Sequence, residues 1–479
     1  MSFITRRKSI DAVPSEAQSG HRQLSRTLSW PHLVALGVGA IVGTGIYTLI
    51  GIGAGMAGPG VLLSFAIAGA VCAVAALAYA EMATMMPQAG SAYTYSYHGI
   101  GEGFAWVVGW SLILEYTVVA AAVSAGWSAQ VSSLIEQAHW PVPAALLAGP
   151  AAGGIVNLPG VLIALAVTAM LLVGTRESAR VNFVLVLVKL AALAAFIALT
   201  LPAFNAAHFH PFMPFGFAGH VDPDGVKRGV MAGAALMFFA FYGFDAISTA
   251  AEETRDPSHD LTIGIIGSMV LCTAIYMVVA AAAIGASPYD VFSKHGAPLA
   301  FILQAMNHPR AAALIAGAAV LALPTVIMVF MYGQTRIFFA MARDGLLPME
   351  LARIGPRGVP SLVTIVTGLF AAAIAGFVPL KDIAEVANAG TLLAFIATAL
   401  CMMVLRRTEP DRIRAFRCPA PWLVGPAAIA GCLYLFSSLP RVTMVRFAVW
   451  NLIGVGVYLA YGRVKSRLAM EQSGGVGQS

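Results

Sequence analysis

Twelve long apolar runs dominate this sequence and limit what it can fold into. A helix needs about 20 apolar residues to cross the hydrocarbon of a bilayer, and only 10% of the 479 residues are charged, against about 25% in soluble domains. A water-soluble globular protein is therefore excluded, and the pattern predicts an all-α integral membrane protein with 12 transmembrane helices. The runs cover about residues 31–55, 60–84, 104–131, 158–175, 181–203, 229–251, 262–285, 309–335, 360–379, 382–405, 421–439 and 446–463.

The sequence lacks the patterns typical of membrane β-barrels, of enzymes and of metal-binding proteins. Alternating strand patterns typical of a membrane barrel are absent, as are the GxSxG, HExxH and P-loop motifs of enzymes. The histidines lie mostly in tails and loops, including His208 and His210, so neither a metal site nor a cofactor is predicted. The five cysteines form no CxxC pair and are interpreted as small buried hydrophobes: Cys72, Cys272, Cys401, Cys418 and Cys432.

Lysine and arginine predict the orientation. With the N-terminus in the cytosol, 20 of the 28 basic residues fall in cytosolic segments and seven on the opposite face. This satisfies the positive-inside rule, and an even number of spans puts both termini in the cytosol. The net charge of +6 is thus a topology signal, and no nucleic-acid partner is predicted because a basic folded domain is absent. The tails at residues 1–28 and Glu471–Ser479 are expected to be disordered.

Glycines interrupt the first apolar run, which reads GVGAIVGTGIY at residues 37–47. Each Gly costs about 1 kcal/mol relative to Ala inside a helix, and unwound backbone at this depth is tolerated only against a cavity or protein. A break frees N–H groups that suit a carboxylate and C=O groups that suit an ammonium, the two ends of an α-amino acid. We predict a broken helix at Gly43-Thr44-Gly45, whereas Gly37 and Gly39 also fit close helix packing.

The sixth apolar run contains a second interruption. It reads Phe238-Phe239-Ala240-Phe241-Tyr242-Gly243-Phe244-Asp245, with aromatic residues around a Gly and an acidic residue still inside the run. Interrupted segments at corresponding positions of two halves indicate an inverted repeat with a binding site between them. Ordinary core packing is the alternative explanation of the aromatic residues.

Isolated charges at Glu115, Lys189 and Asp245 lie inside the apolar runs. A charge at the centre of a membrane helix costs about 2.5–3.5 kcal/mol even on the lenient insertion scale, so such residues usually face a cavity or a partner. At 1.5 Å per residue, Glu115 lies about 16 Å along its helix and Lys189 about 12 Å. Low dielectric weakens the hold of an ammonium on its proton, so Lys189 is a candidate proton carrier, with snorkelling to the interface as the alternative. For Asp245, a pair with a neighbouring Arg stays open.

The chain resembles the amino acid–polyamine–organocation superfamily, and within it the bacterial members of the cationic amino acid transporter family. The resemblance covers about residues 28–465. Five stretches carry it: GAIVGTGI at 39–46, PQAGSAY at 87–93, WSLILEY at 110–116, FDAISTAAEET at 244–254 and GQTRIFFAMARDGL at 333–346.

The resemblance implies ten core helices in a 5+5 inverted repeat with discontinuous helices 1 and 6, plus two peripheral helices. The implied boundaries are a cytosolic tail at 1–28, a first repeat at 29–203, a second repeat at 204–405, peripheral helices at 406–463 and a cytosolic tail at 464–479.

The resemblance also implies a substrate site and a proton site. Amides around Thr44 and Gly45 would hold a carboxylate, and carbonyls near Ile41, Phe239 and Tyr242 would meet the α-amino group, with Phe239 closing as a gate. Lys189 matches a family lysine that stands where sodium-driven relatives hold an ion, which favours proton coupling. Charge complementarity adds two carboxylates that would attract a cationic side chain. The predicted substrate-binding residues are Ile41, Gly43, Thr44, Gly45, Phe239, Ala240, Tyr242, Gly243, Glu115 and Asp245.

The predicted function is proton-coupled import of cationic or small neutral amino acids by alternating access, in a bacterial inner membrane. Exchange of amino acids or polyamines without net proton movement is the alternative. A nutrient sensor and a membrane enzyme are less well supported, because the tails are short and no nucleophile–base pair stands out. The partners are then the substrate, the proton and the bilayer, and the resemblance admits a small single-span membrane protein.

Overall fold

The computed structural model describes residues 6–8, 28–88, 90–173, 178–223, 225–251, 254–353 and 360–474. The described chain is almost entirely helical, with one antiparallel pair of short strands, β1 (His220–Val221) and β2 (Lys227–Arg228). The helices are α1 (Trp30–Ile41), α2 (Ile50–Ala57), α3 (Val61–Met85), α4 (Ala92–Gly99), α5 (Glu102–Gln137), α6 (Leu158–Val173), α7 (Ser178–Thr200), α8 (Val230–Met237), α9 (Ala246–Thr249), α10 (Pro257–Thr262), α11 (Ser268–Ala286), α12 (Tyr289–Phe292), α13 (Pro298–Ala305), α14 (Pro309–Arg343), α15 (Ser361–Phe377), α16 (Leu380–Thr408), α17 (Pro421–Ser438), α18 (Arg441–Val457), α19 (Arg463–Lys465) and α20 (Arg467–Gly474).

Shorter helical turns connect several of these elements. Segments of π-helix join consecutive α-helices at Gly45–Leu49, Ile263–Gly267 and Tyr458–Gly462. Turns of 3₁₀-helix lie at Gly58–Gly60, Ala144–Leu146, Pro150–Ala152, Leu201–Ala203, Ala206–Phe209, Phe238–Phe241 and Met349–Ala352.

Nine helical stretches of the described chain are long and apolar enough to cross a membrane. The first, Trp30–Met85, is 56 residues long and covers two of the predicted apolar runs. Two shorter apolar helices, Leu158–Leu172 and Ser361–Phe377, lie within two further runs. The chain is therefore a multi-pass membrane protein, while the count of 12 spans and the inverted repeat stay predictions.

The two interrupted segments lie at the centre of the bundle. The long helix α5 packs against α14 and α16, α1 packs against α7 and α11, and α8 packs against α2 and α3. The stretch Val230–Thr249 is entirely buried, as expected of a helix that is apolar on all sides. Helices at the periphery instead expose large apolar side chains, among them Leu162, Leu369 and Leu452, which suits contact with lipid.

The prediction of small buried cysteines is confirmed, because all five cysteines are buried and unpaired.

Gly37 lies at a close contact between helices, as its small size predicted. A Cβ at Gly37 would lie 2.5 Å from Ser268 Oγ and 2.7 Å from Ile247 Cδ1. The absence of a side chain at this position therefore lets α1 approach α9 and α11 closely.

The prediction of a disordered N-terminal tail is wrong for residues 6–8, which lie against one end of the bundle. Lys8 Nζ lies 2.7 Å from Asp344 Oδ1, just beyond the end of α14. The backbone N–H of Glu102 donates to Arg6 O at 2.8 Å, so the tail satisfies an N–H at the start of α5 that has no partner inside the helix.

The prediction of a disordered C-terminal tail from Glu471 is wrong as far as Gly474, where α20 ends. The segment is tethered just before this helix, because Ser466 Oγ donates to Glu102 Oε2 at 2.5 Å. A short helix depends mostly on such tertiary contacts, and the contact joins residues far apart in sequence, so local composition did not reveal it.

A buried ion-pair network fixes the end of α16 to α3. The carboxylate of Glu81, only 1% exposed, accepts hydrogen bonds from Arg406 Nη2 at 2.6 Å, Arg414 Nε at 3.1 Å and the backbone N–H of Cys418 at 2.8 Å. Two guanidinium groups therefore depend on one buried carboxylate for their charge compensation.

Replacing Glu81 by Gln should lower the melting temperature of the purified protein. Removing one partner of a buried pair costs about 3–5 kcal/mol because the opposite charge stays buried. The matched control is Asp382→Asn, whose pair with Arg446 at 3.2 Å is exposed and worth about 0–1 kcal/mol. Equal melting temperatures for the two variants would contradict the prediction.

Candidate functional site

The first interruption lies where the glycine-rich stretch predicts it. Helix α1 ends at Ile41, Val42 is extended (φ −73°, ψ 91°), and helical structure resumes with the π-helix Gly45–Leu49. Because no helical turn precedes it, the first turn after the break has backbone N–H groups without intrahelical acceptors. These belong to Gly43, Thr44 and Gly45, since the next donors, from Ile46 and Tyr47, already bond to Gly43 O.

The second interruption lies in the sixth predicted run. Helix α8 passes into the 3₁₀ turn Phe238–Phe241, Tyr242 is extended (φ −64°, ψ 148°), and α9 begins only at Ala246. Between them Gly243 adopts φ +117°, a conformation that L-residues with a side chain rarely reach.

The two interruptions pack directly into each other. A Cβ at Gly45 would lie 2.4 Å from Ala240 Cα, and a Cβ at Gly243 would lie 2.5 Å from Ala40 Cβ and 2.9 Å from Ala40 C. Each of these glycines thus provides the space for the backbone of the other segment. The sequence pattern predicted both breaks, and the structure brings them together.

Side chains from neighbouring helices occupy the carbonyls that the first break frees. Lys189 of α7, fully buried, donates from Nζ to Gly39 O at 2.6 Å. The hydroxyl of Tyr276 on α11 lies 2.6 Å from Ile41 O and 2.9 Å from Ala240 O of the second break. The structure therefore places Lys189 at the end of α1, and its side chain does not snorkel to the interface.

Thr44 carries a polar atom without a partner beside the freed amides. Its Oγ1 is buried and makes no hydrogen bond in the described part of the chain. The rest of the side chain packs on α5, where a Cβ at Gly126 would lie 2.3 Å from Thr44 Cγ2. The hydroxyl and the amides of residues 43–45 together form a group of donors suited to a carboxylate.

A small cavity of about 10 Å³ lies between the two interruptions. Six of the ten predicted substrate-binding residues line it, and its other walls come from α1, α5 and α14. The lining residues are Ala40, Ile41, Gly43, Thr44, Gly45, Val119, Val123, Phe239, Tyr242, Val326 and Phe330. The volume is that of about one water molecule, so an amino acid enters only if the lining side chains move apart.

The other four predicted residues lie behind this lining. Ala240 and Gly243 form the contact between the two breaks. Asp245 accepts hydrogen bonds from the Tyr116 hydroxyl and from the backbone N–H of Gly243, both at 3.2 Å, and so stabilises the second break rather than pairing with an Arg. Glu115 packs against α16, where a Cβ at Gly390 would lie 3.1 Å from Glu115 Cβ.

Sequence reasoning missed the apolar walls of the cavity. Val119 and Val123 follow Glu115 at intervals of four residues and so share one face of α5. Val326 and Phe330 show the same spacing on α14. The buried charge at Glu115 was the one available signal for the inward face of α5, and nothing comparable marks α14.

Two interrupted helical stretches, the second of them entirely buried, enclose a cavity between apolar walls and define a multi-pass membrane protein with a central candidate site. Residues 28–460 match the family model described as amino acid permease. The chain belongs to this family, within the amino acid–polyamine–organocation superfamily that the sequence motifs resemble.

Several relatives are similar over most of their length. Branched-chain amino acid permease BcaP of Bacillus subtilis is 42% identical over 97% of this chain and 99% of the relative. A methylthioribose transporter of the same organism is 39% identical over 98% of this chain and 100% of the relative. The vacuolar cationic amino acid transporter 4 of Arabidopsis thaliana is more distant, at 36% identity over 86% of this chain and 68% of the relative. The family and these names point to a transporter rather than an enzyme.

Proposed function

We propose that the protein imports amino acids with aliphatic side chains, branched-chain amino acids foremost, by proton-coupled alternating access. The observation that carries this proposal is the apolar side-chain lining of the cavity between the two helix breaks. In the proposed arrangement the chain crosses the inner membrane 12 times, with both termini in the cytosol.

The backbone of the two breaks supplies groups for both ends of a zwitterion. The N–H groups of Gly43, Thr44 and Gly45, with the unpaired Thr44 hydroxyl, suit the carboxylate. The carbonyls of Ile41, at the end of α1, and of Phe239, in the 3₁₀ turn before the second break, suit the α-ammonium, because half-helix ends carry partial charges of these signs.

The side-chain part of the cavity favours an aliphatic substrate over a cationic one. The lining includes Val119 and Val123 of α5 and Val326 and Phe330 of α14, and each CH₂ group buried against such walls contributes about 0.8 kcal/mol. A guanidinium or ammonium tail would need a carboxylate in the lining. Contact of Glu115 or Asp245 with the substrate stays a prediction. The relative named a branched-chain amino acid permease supports the same class.

Opening of the cavity on one side at a time would give alternating access. Phe239 is in the lining and its ring centroid lies 5.0 Å from that of Tyr242, so movement of this aromatic pair would open or cover the site. A substrate favours one conformation only as far as it binds that conformation better than the other. Phe239 is therefore proposed as the gate.

Uptake into proteoliposomes tests the proposed substrate class. Labelled leucine should be taken up, and isoleucine and valine should compete with it more strongly than arginine or lysine, because the walls are apolar. Preference for arginine would contradict the proposal, as would inhibition by methylthioribose without inhibition by isoleucine. Uptake that requires internal amino acid and ignores a pH gradient would favour exchange instead.

Replacing Val326 by Ala should weaken leucine binding more than alanine binding. The change removes two methyl carbons from the wall, at about 0.8 kcal/mol per buried CH₂, which corresponds to about 10-fold in the leucine dissociation constant. The affinity for alanine as a substrate should fall less, because its side chain is a single methyl group. Val278→Ala is the matched control, because Val278 is 50% exposed on the outside of α11; an equal loss for both amino acids would place Val326 outside the side-chain pocket.

A further inference from the structure

One tyrosine hydroxyl serves carbonyl groups from both helix breaks. Tyr276 Oη lies 2.6 Å from Ile41 O and 2.9 Å from Ala240 O, and the side chain is fully buried. Its ring is held by Phe65 and Phe241, with centroids at 5.7 and 5.4 Å. The hydroxyl is therefore fixed between the two segments that form the candidate substrate site.

The hydroxyl carries one hydrogen for two acceptors. Ile41 is the last residue of α1, and Ala240 lies in the 3₁₀ turn before the second break. In the described part of the chain no backbone N–H donates to either carbonyl. At any moment Tyr276 can satisfy only one of them fully, and a buried carbonyl without a donor is costly.

We propose that Tyr276 is a positioning residue that takes the place of the substrate ammonium at Ile41 O while the carrier is empty. When an amino acid binds, its ammonium, with three N–H donors, bonds to Ile41 O, and the Tyr276 hydroxyl then donates to Ala240 O alone. The inference rests on the proposed function, since it assumes an α-ammonium at the first break.

The two states of the carrier then depend on Tyr276 to different degrees. In the empty carrier this hydroxyl donates to one of the two carbonyls, and its oxygen accepts from the backbone N–H of Gly43. In the loaded carrier the ammonium satisfies Ile41 O and the carboxylate takes the Gly43 N–H, so only the bond to Ala240 O depends on Tyr276. Removing the hydroxyl thus costs two hydrogen bonds in the empty carrier and one in the loaded carrier, and binding should tighten.

Net uptake and exchange separate these effects. Net uptake requires the empty carrier to return across the membrane, whereas exchange uses the loaded carrier in both directions. Tyr276→Phe should slow net leucine uptake into proteoliposomes without internal leucine by about 10-fold, the effect of one unpaired buried polar group. Exchange into liposomes preloaded with leucine should fall less than net uptake, because the loaded carrier loses only the hydrogen bond to Ala240 O.

Two further variants complete the experiment. Tyr97→Phe is the matched control, because the Tyr97 hydroxyl is also buried but donates to Glu102, which keeps Tyr458 and Ser466 as donors; both rates should stay near those of the wild type. Tyr276→His retains a ring and an N–H donor, and should recover part of the net uptake that Tyr276→Phe loses. It also tests the inference if the Phe variant does not fold.

The outcomes distinguish this inference from the proposed function. Net uptake that slows more than exchange, together with tighter leucine binding, supports the role of Tyr276. An equal loss of net uptake and exchange, or no loss of either, would overturn it while leaving leucine transport by the wild type intact. Absence of any amino acid transport by the wild type would overturn the proposed function, and this inference with it.

Discussion

Replacing Gly243 by Ala should abolish most transport. Its φ of +117° disfavours any side chain, and the new Cβ would lie 2.5 Å from Ala40 Cβ and 2.9 Å from the Ala40 carbonyl carbon. Backbone strain costs about 1–3 kcal/mol and overpacking typically about 1–3 kcal/mol, so leucine uptake in proteoliposomes should fall below about a tenth of the wild-type rate. Gly45→Ala should act similarly, because its Cβ would lie 2.4 Å from Ala240 Cα.

The matched control is Gly317→Ala on α14. A Cβ at Gly317 meets nothing within 4 Å, and Ala is the better helix former, so uptake should stay within about 2-fold of wild type. Wild-type uptake by Gly243→Ala would show that the two breaks do not need to approach as closely as the structure has them.

Replacing Lys189 by Met should uncouple uptake from a proton gradient. The Lys189 ammonium donates to Gly39 O at 2.6 Å and is fully buried, and a charged donor makes a stronger hydrogen bond than a neutral one. Gain or loss of this proton would change how firmly α7 holds the end of α1. Met keeps a similar length without a proton to exchange, so the ratio of leucine uptake rates with and without an inward proton gradient should fall toward unity.

Lys227→Met controls for the loss of a lysine as such. Lys227 Nζ also donates to a backbone carbonyl, Ser438 O at 2.5 Å, but the residue belongs to β2, which precedes α8, and its acceptor belongs to neither break. This variant should respond to the gradient like the wild type. A normal gradient response in Lys189→Met would reject proton coupling through Lys189 and strengthen the exchange alternative.

The sequence predicted those parts of the site whose energetic cost depends on residues adjacent in the chain. A cluster of glycines in an apolar run weakens a helix wherever it lies, so the break at Val42–Gly43, next to the predicted Gly43-Thr44-Gly45, and the break at Tyr242–Gly243 were visible without any knowledge of their partners. The position of Lys189 well inside an apolar run was readable in the same way, and the structure has its side chain fully buried. Both predictions depend on the backbone more than on tertiary contacts.

The direction in which a side chain points was not readable in the same way. Position along a helix gives depth in the membrane, but the face turned to the cavity depends on how the helices pack. Glu115 and Asp245 are buried in the bundle, yet they lie behind the lining of the cavity. Val326 and Tyr276 looked like ordinary apolar-run residues, because what distinguishes them is a neighbour far away in sequence.

The interlocked glycines also determine which parts of the bundle can move separately. Since Ala40 fills the space at Gly243 and Ala240 the space at Gly45, neither interrupted helix can slide along the other without a collision. The helical segments on either side of the two breaks should therefore tilt together as one rigid body relative to the surrounding helices. The connecting loops would then act as the hinges. A substitution at Gly45 or Gly243 would be tolerated only together with a compensating substitution at the alanine that it contacts, Ala240 or Ala40 respectively.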